Sequence, residues 1–136
     1  MSRMYCQCGH LIRDTTDNLP YKALFFADGD YAASFERHIT FCAGLIQARD
    51  EGRQDEFITS HFGENYPKDL SVEDVVSDNV AGLLAAMGHL MYECENCGRL
   101  YLQPFLRKNQ YVSYVPEGEV RGVLRPWKQE PSQETF

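Results

Sequence analysis

The sequence predicts an α+β fold in which an antiparallel sheet of four to six strands carries two cysteine-bearing turns and a helical insertion packs on one side. Three observations lead there. Two cysteine pairs, Cys6/Cys8 and Cys94/Cys97, lie far apart in the chain, and each is followed by a glycine and bordered by strand-like stretches. Between them the apolar residues recur at three- and four-residue intervals, the period of a helix. Beyond the second pair they alternate with polar residues, the period of a strand.

Each element follows from local chemistry. Met4 to Arg13 reads as a strand, a tight turn and a second short strand, and Asp14 to Asn18 is a polar connection rich in turn residues. Lys22 to Asp28 is a short apolar strand ended by Asp28-Gly29-Asp30. With Asp30 as N-cap, a helix runs to about Arg49, its apolar face formed by Tyr31, Phe35, His38, Ile39, Cys42, Leu45 and Ile46. A second helix covers Asp55 to His61 and stops near Gly63, before the extended Tyr66-Pro67 pair. Ser71, with Asp74 three residues on, opens a third, which presents Val75, Val76, Val80, Leu83, Leu84 and Met87 and ends at Gly88. Strands are then expected at His89 to Glu93, Arg99 to Phe105, Tyr111 to Val115 and Glu119 to Leu124. The domain is expected to be single, residues 1–125 with the helical insertion at about 30–88, followed by a flexible tail at 126–136.

With 136 residues the chain is long enough to build a core without relying on cross-links alone. The longest apolar runs, Ala23 to Ala27 and Val80 to Met87, fall far short of the roughly 20 residues of a membrane span. Met1 to His10 holds two cysteines and no apolar run of the secretory kind, so a cytoplasmic location and no membrane partner are expected. In such a compartment, paired cysteines are metal ligands rather than disulfides. Cys6, Cys8, Cys94 and Cys97 are therefore the expected metal ligands, four thiolates completing the tetrahedral shell of one structural Zn²⁺. The spacing Cys6-x-Cys8 is one residue shorter than the usual pair, which leaves open whether His10 replaces one of its thiolates.

Cys42 sits among the apolar residues of the first helix, where a buried core thiol is the expected role. His38 is four residues before it, at a spacing that allows a shared ligand but more often serves packing. His61 and His89 fall at element ends and are not expected to bind metal.

This pair of glycine-terminated cysteine turns resembles a zinc ribbon, in which two hairpin knuckles share one zinc. The likeness covers Met4 to Ile12 and Met91 to Leu102, with the helical stretch inserted between the halves. It implies a split ribbon whose metal supports the fold and takes no part in catalysis. No enzymatic role is expected on independent grounds. Four thiolates leave no position for a reactive water, and the chain has no H-E-x-x-H, G-x-S-x-G, phosphate-loop or dinucleotide-binding motif. The zinc-deaminase pattern is also absent, since none of its histidines is followed by x-Glu.

Charge then bears on the partner. The chain carries 13 Lys/Arg against 20 Asp/Glu, a formal net charge of −7. Residues 1–98 hold 7 basic and 16 acidic side chains, whereas 99–128 hold 6 and 2. Acidity over most of the chain argues against nucleic acid as the main partner, because that affinity comes largely from cations on phosphates. The competing reading rests on Tyr101, Phe105, Tyr111, Tyr114 and Trp127 interleaved with Arg99, Arg107, Lys108, Arg121, Arg125 and Lys128. Such a pattern could stack bases in a nucleic-acid-binding or transcription/translation-associated adaptor, or simply form the inward face of a sheet. In size, charge and cysteine arrangement the chain resembles the immunity proteins encoded beside secreted toxins in polymorphic toxin systems. That resemblance implies an antitoxin that binds and neutralises a cognate, basic toxin through an acidic surface, for which Asp50, Glu51, Asp55, Glu56, Glu73 and Asp74 are the candidates.

Overall fold

A computed structural model describes residues 3–105 and 109–127. The fold is α+β, with antiparallel sheets and three helices, and the chain divides into two compact units.

The first unit is formed by the described residues up to Phe25 and from His89 onward. It contains six strands: β1 (Arg3–Tyr5), β2 (Leu11–Arg13), β3 (Lys22–Phe25), β4 (His89–Glu93), β5 (Leu100–Leu102) and β6 (Val112–Tyr114). The single expected sheet is two. β1 and β2 form a hairpin with Met4 opposite Ile12, and the other four strands run in the order β3-β4-β5-β6, antiparallel throughout. Tyr92 on β4 faces Lys22 on one side and Tyr101 on the other. Their register brings Cys6, Ile12, Tyr92, Cys94 and Tyr101 into one buried cluster, with Met4, Tyr21, Leu90, Cys97 and Tyr111 packed around it. Asp14, in the connection after β2, receives hydrogen bonds from the Lys22 ammonium at 2.7 Å and from the Tyr92 hydroxyl. One carboxylate thus ties the hairpin's exit to both β3 and β4.

The expected strand at Glu119 to Leu124 does not form. Local turns close this stretch, from Val120 N–H to Gly118 O at 2.9 Å and from Arg125 N–H to Gly122 O at 3.3 Å. The Val123 N–H goes to the carboxylate of buried Glu93 at 3.3 Å instead of to a neighbouring strand. Alternation of valines supplies strand propensity, but without a ladder partner the backbone takes the nearest acceptors. The expected tail, apart from Pro126 and Trp127, lies outside the described residues, as do Arg107, Lys108 and Lys128.

The second unit is Phe26 to Gly88 and is helical: α1 (Asp28–Asp50), α2 (Gln54–Phe62) and α3 (Val72–Met87). α1 begins two residues before the expected cap, with Ala27 in the N-cap position and no side-chain cap. Asp28 and Asp30 lie in its first turn, where their charges favour the positive end of the helix dipole. α3 starts as its sequence requires, with the Asp74 N–H donating to Ser71 Oγ at 3.1 Å. The buried face of α1 is also displaced from the expected one. Phe41, Leu45 and Ala48 are buried, whereas Tyr31, Phe35, Ile39 and Ile46 are more than half exposed. Phe41 and Leu45 join Ile58 of α2 and Val75 of α3 in a second core, which Cys42, Phe57, Phe62 and Val76 flank. Among the described residues no helix is long and apolar enough to cross a membrane.

Candidate metal centre

The two knuckles are built from different sheets. Cys6 and Cys8 lie in the turn joining β1 to β2, and Cys94 and Cys97 in the turn joining β4 to β5. Each turn is closed by the same pair of backbone hydrogen bonds. In the first, Cys6 N–H donates to His10 O at 2.8 Å and Gly9 N–H to Cys6 O at 2.9 Å. In the second, Cys94 N–H donates to Arg99 O at 2.9 Å and Gly98 N–H to Cys94 O at 2.8 Å. The short Cys6-x-Cys8 spacing is therefore a knuckle one residue tighter than its partner. His10 contributes its backbone carbonyl to that turn, and its ring is not among the four potential ligand atoms.

Both glycines have left-handed backbones, Gly9 at φ +93° and Gly98 at φ +77°. Their surroundings differ. A Cβ on Gly9 would meet nothing within 4 Å, whereas one on Gly98 would lie 2.5 Å from the Val120 carbonyl oxygen and 2.9 Å from Arg121 Nη1. The second knuckle thus has no room for any other residue at this position without a backbone shift.

Across the two knuckles, Cys6 Sγ is 3.5 Å from Cys97 Sγ, Cys8 Sγ is 3.6 Å from Cys94 Sγ, and all four sulfurs lie within 4.8 Å of one another. A tetrahedron with metal–sulfur bonds of about 2.3 Å has edges of about 3.8 Å. The two measured edges come close to that, so the cluster fits a tetrahedral metal bound by four thiolates. Cys6 and Cys94 are buried, Cys97 is half-buried and Cys8 is exposed.

Neighbouring groups favour negative charge on the sulfurs. The Asn96 amide donates to Cys8 Sγ at 3.4 Å, and Arg99 Nη1 lies 4.0 Å from Cys6 Sγ and 3.9 Å from Cys97 Sγ. Tyr101, whose hydroxyl accepts from the Gln7 N–H at 3.1 Å, also hydrogen-bonds Cys6. Burial opposes ionisation of Cys6, but the Cys8 backbone, Tyr101 and the facing cysteines outweigh it and lower its pKa to about 6. The Asn96 amide lowers that of Cys8, whereas burial pushes Cys94 up to about 12. The sequence left Arg99 to either a base-stacking patch or an inward sheet face; the fold puts it beside the cysteine sulfurs, where its charge favours their ionised form.

The remaining candidates lie elsewhere. His89 is buried, stacks on Phe25 with ring centroids 4.9 Å apart, and is bonded through Nδ1 to Gln103 O at 3.1 Å. In the helical unit, Asn79 is buried between two histidines, with its Oδ1 3.1 Å from His61 Nε2 and its Nδ2 3.0 Å from His38 Nδ1. His38 Nε2 is in turn 3.7 Å from Cys42 Sγ. Asn79 was not legible as a buried residue from its polarity, but it lies four residues after Val75 and so on the same helical face. Asp50, Glu51, Asp55, Glu56, Glu73 and Asp74 are all exposed, at the end of α1 and in the first turns of α2 and α3. Glu51 is engaged by Arg53 and by the Gln47 amide at 3.1 Å.

No curated protein and no solved structure matches the chain. Residues 2–118, most of its length, match the family DUF8617, a domain of unknown function. With its cysteine pairs inside the matched span, the chain belongs to the DUF8617 family.

Proposed function

We infer that this is a non-enzymatic zinc protein that acts by binding a basic protein partner, as an immunity protein neutralises its cognate toxin. The observation that carries the partner's sign is the charge of the helical unit: residues 26–88 hold twelve Asp/Glu and four Lys/Arg. Such a field accelerates encounter with a basic domain and disfavours acidic competitors. Zinc is favoured by four soft thiolate donors at tetrahedral spacing, and when bound it supplies cross-linking between the knuckles rather than a reactive water. Elemental analysis is expected to give one zinc per chain; iron with visible thiolate-to-iron absorption would replace that assignment.

The partner reading is tested by co-expression with the product of the adjacent gene, followed by pull-down and a growth assay. Retention of that product together with relief of its toxicity is the expected outcome. A product that is neither toxic alone nor retained overturns the immunity role. Charge reversal at Asp50, Asp55/Glu56 or Glu73/Asp74 should slow association and flatten its salt dependence without loss of metal.

A second reading is supported by exposed aromatic residues outside the helical unit. Phe105, Tyr114 and Trp127 are 64%, 57% and 84% exposed, and Arg121 and Arg125 are exposed in the same unit. Stacking on such rings with cations alongside suits single-stranded nucleic acid. Sub-micromolar binding of an RNA or DNA oligonucleotide near physiological salt, lost on Tyr114→Ala and Arg121→Ala, would put this reading first.

A further inference from the structure

The helical unit holds a groove of about 660 Å³ that no part of the metal centre or the charged helix ends accounts for. Its walls come from all three helices. Phe41, Phe57 and Phe62 form an aromatic side with His61 among them: the His61 ring lies 4.5 Å from Phe41 and 4.6 Å from Phe62, centroid to centroid. Gly82 of α3 also lines it.

Gly82 lies inside α3, where glycine costs roughly 1 kcal/mol relative to alanine. Its backbone is not left-handed, and a Cβ there would meet nothing within 4 Å. Neither conformation nor close packing therefore calls for glycine at this position. What its missing side chain does is leave the groove wide.

The polar groups of the groove point to the charge of an occupant. Glu36 and Asp78 bring two carboxylates against the single guanidinium of Arg37 among the described lining residues, within a unit of strong negative charge. Aromatic faces and two carboxylates together suit a flat cation, held by stacking and by its N–H donors.

We propose that the groove between α1, α2 and α3 is a binding site for a small organic molecule made of a flat ring bearing a positive nitrogen group. The assignment stands on the groove and is independent of the immunity reading, because its test uses the free, metal-loaded chain.

The probes are benzamidine, benzyl alcohol and benzoate, which carry one ring with a positive, neutral or negative substituent, titrated into ¹⁵N-labelled protein and followed by NMR. Benzamidine should give saturable shifts at Phe41, His61, Asn79 and Gly82, with a Kd on the order of 1 mM or tighter for so small a ligand. Benzyl alcohol should bind about 5-fold and benzoate at least about 10-fold more weakly, as expected when charge selects among equal rings. Gly82→Leu, which fills the groove from a helix position that favours leucine over glycine, should weaken benzamidine by about 10-fold or more. Gly82→Ala, which adds one methyl and should stabilise the helix, should leave most binding intact and serves if the leucine variant does not fold. Glu36→Gln with Asp78→Asn should weaken benzamidine by about 5-fold and leave benzyl alcohol unchanged. Equal binding of benzoate and benzamidine, unaltered benzamidine binding in a folded Gly82→Leu variant, or no saturable shift at 20-fold above that Kd would overturn the proposal. Tighter binding of N-acetyl-arginine amide than of benzamidine would also overturn it, since the groove would then fit a protein's side chain rather than a free small molecule.

Discussion

A hydroxyl does not replace a thiolate in a soft tetrahedral shell, so serine at Cys94 or Cys97 removes a donor that the proposed metal needs. Cys94→Ser or Cys97→Ser should lose metal and stability together, whereas Cys42→Ala should keep the metal, as elemental analysis and thermal unfolding will show. The glycines of the two knuckles separate conformation from crowding. Gly9→Ala should cost about 1–2 kcal/mol, the strain of a left-handed alanine in open space. Gly98→Ala must in addition displace the Val120 carbonyl, so its cost in urea unfolding should exceed that of Gly9→Ala by about 1 kcal/mol or more. The thiol groups also set a pH limit. Binding needs every sulfur deprotonated, and Cys94 is held high by burial, so metal displaces protons on binding. Metal retention should fall as pH drops, with more than one proton taken up per metal released to a chromophoric chelator.

Of the elements, α1 most clearly separates propensity from packing. Of its expected apolar face, Leu45 is buried and Cys42 packs against the core, but Tyr31, Phe35, Ile39 and Ile46 stay exposed and the core takes Phe41 and Ala48 in their place. A helix with apolar residues on more than one face does not reveal from its own period which face a neighbour will cover. Phe41→Ala should therefore cost about 3–5 kcal/mol, whereas Phe35→Ser should change stability by less than about 0.5 kcal/mol. At the joint of β2, β3 and β4, burial opposes ionisation of Asp14, but hydrogen bonds from Lys22 and Tyr92 prevail and hold its carboxyl below the usual range. A depressed folded pKa contributes stability that is full above the unfolded value near 3.9 and lost as pH falls through the folded one. Asp14→Asn should be less stable than the parent protein at pH 7 by about 2 kcal/mol, and the gap should close below pH ~4 when both are unfolded by urea.

The molecule as a whole has two cores of different character. The strand-built unit buries two of its candidate metal ligands, Cys6 and Cys94, in its own apolar cluster, while the helical core of Phe41, Leu45, Ile58 and Val75 contains none. Removal of metal should accordingly collapse the near-ultraviolet tyrosine signal arising from Tyr92, Tyr101 and Tyr111, while most of the helical signal at 222 nm persists. Parallel loss of both signals on chelation would show that the helical unit depends on the metal for its fold.

Some of this architecture was legible in the order of residues. The cysteine pairs with their glycines, the three helices and the Ser71 cap depend on spacing within a few positions, and local spacing is written directly in the chain. The meeting of the four cysteines was legible for the same reason twice over, since each knuckle is a local motif and the two motifs match. Matters involving partners distant in sequence were not legible. The sheet split into two because ladder pairing depends on which strands meet, and the valines near residue 120 found Glu93 and turn carbonyls instead of a strand. Asn79 became buried because two histidines from other helices satisfy both ends of its amide. Arg99 came to lie beside Cys6 and Cys97 because the knuckle turns it toward them, which its place among alternating aromatics did not reveal. In each case the outcome depended on a hydrogen-bond or packing partner that only three-dimensional closure brings within reach, and burial without such a partner would have been too costly to form.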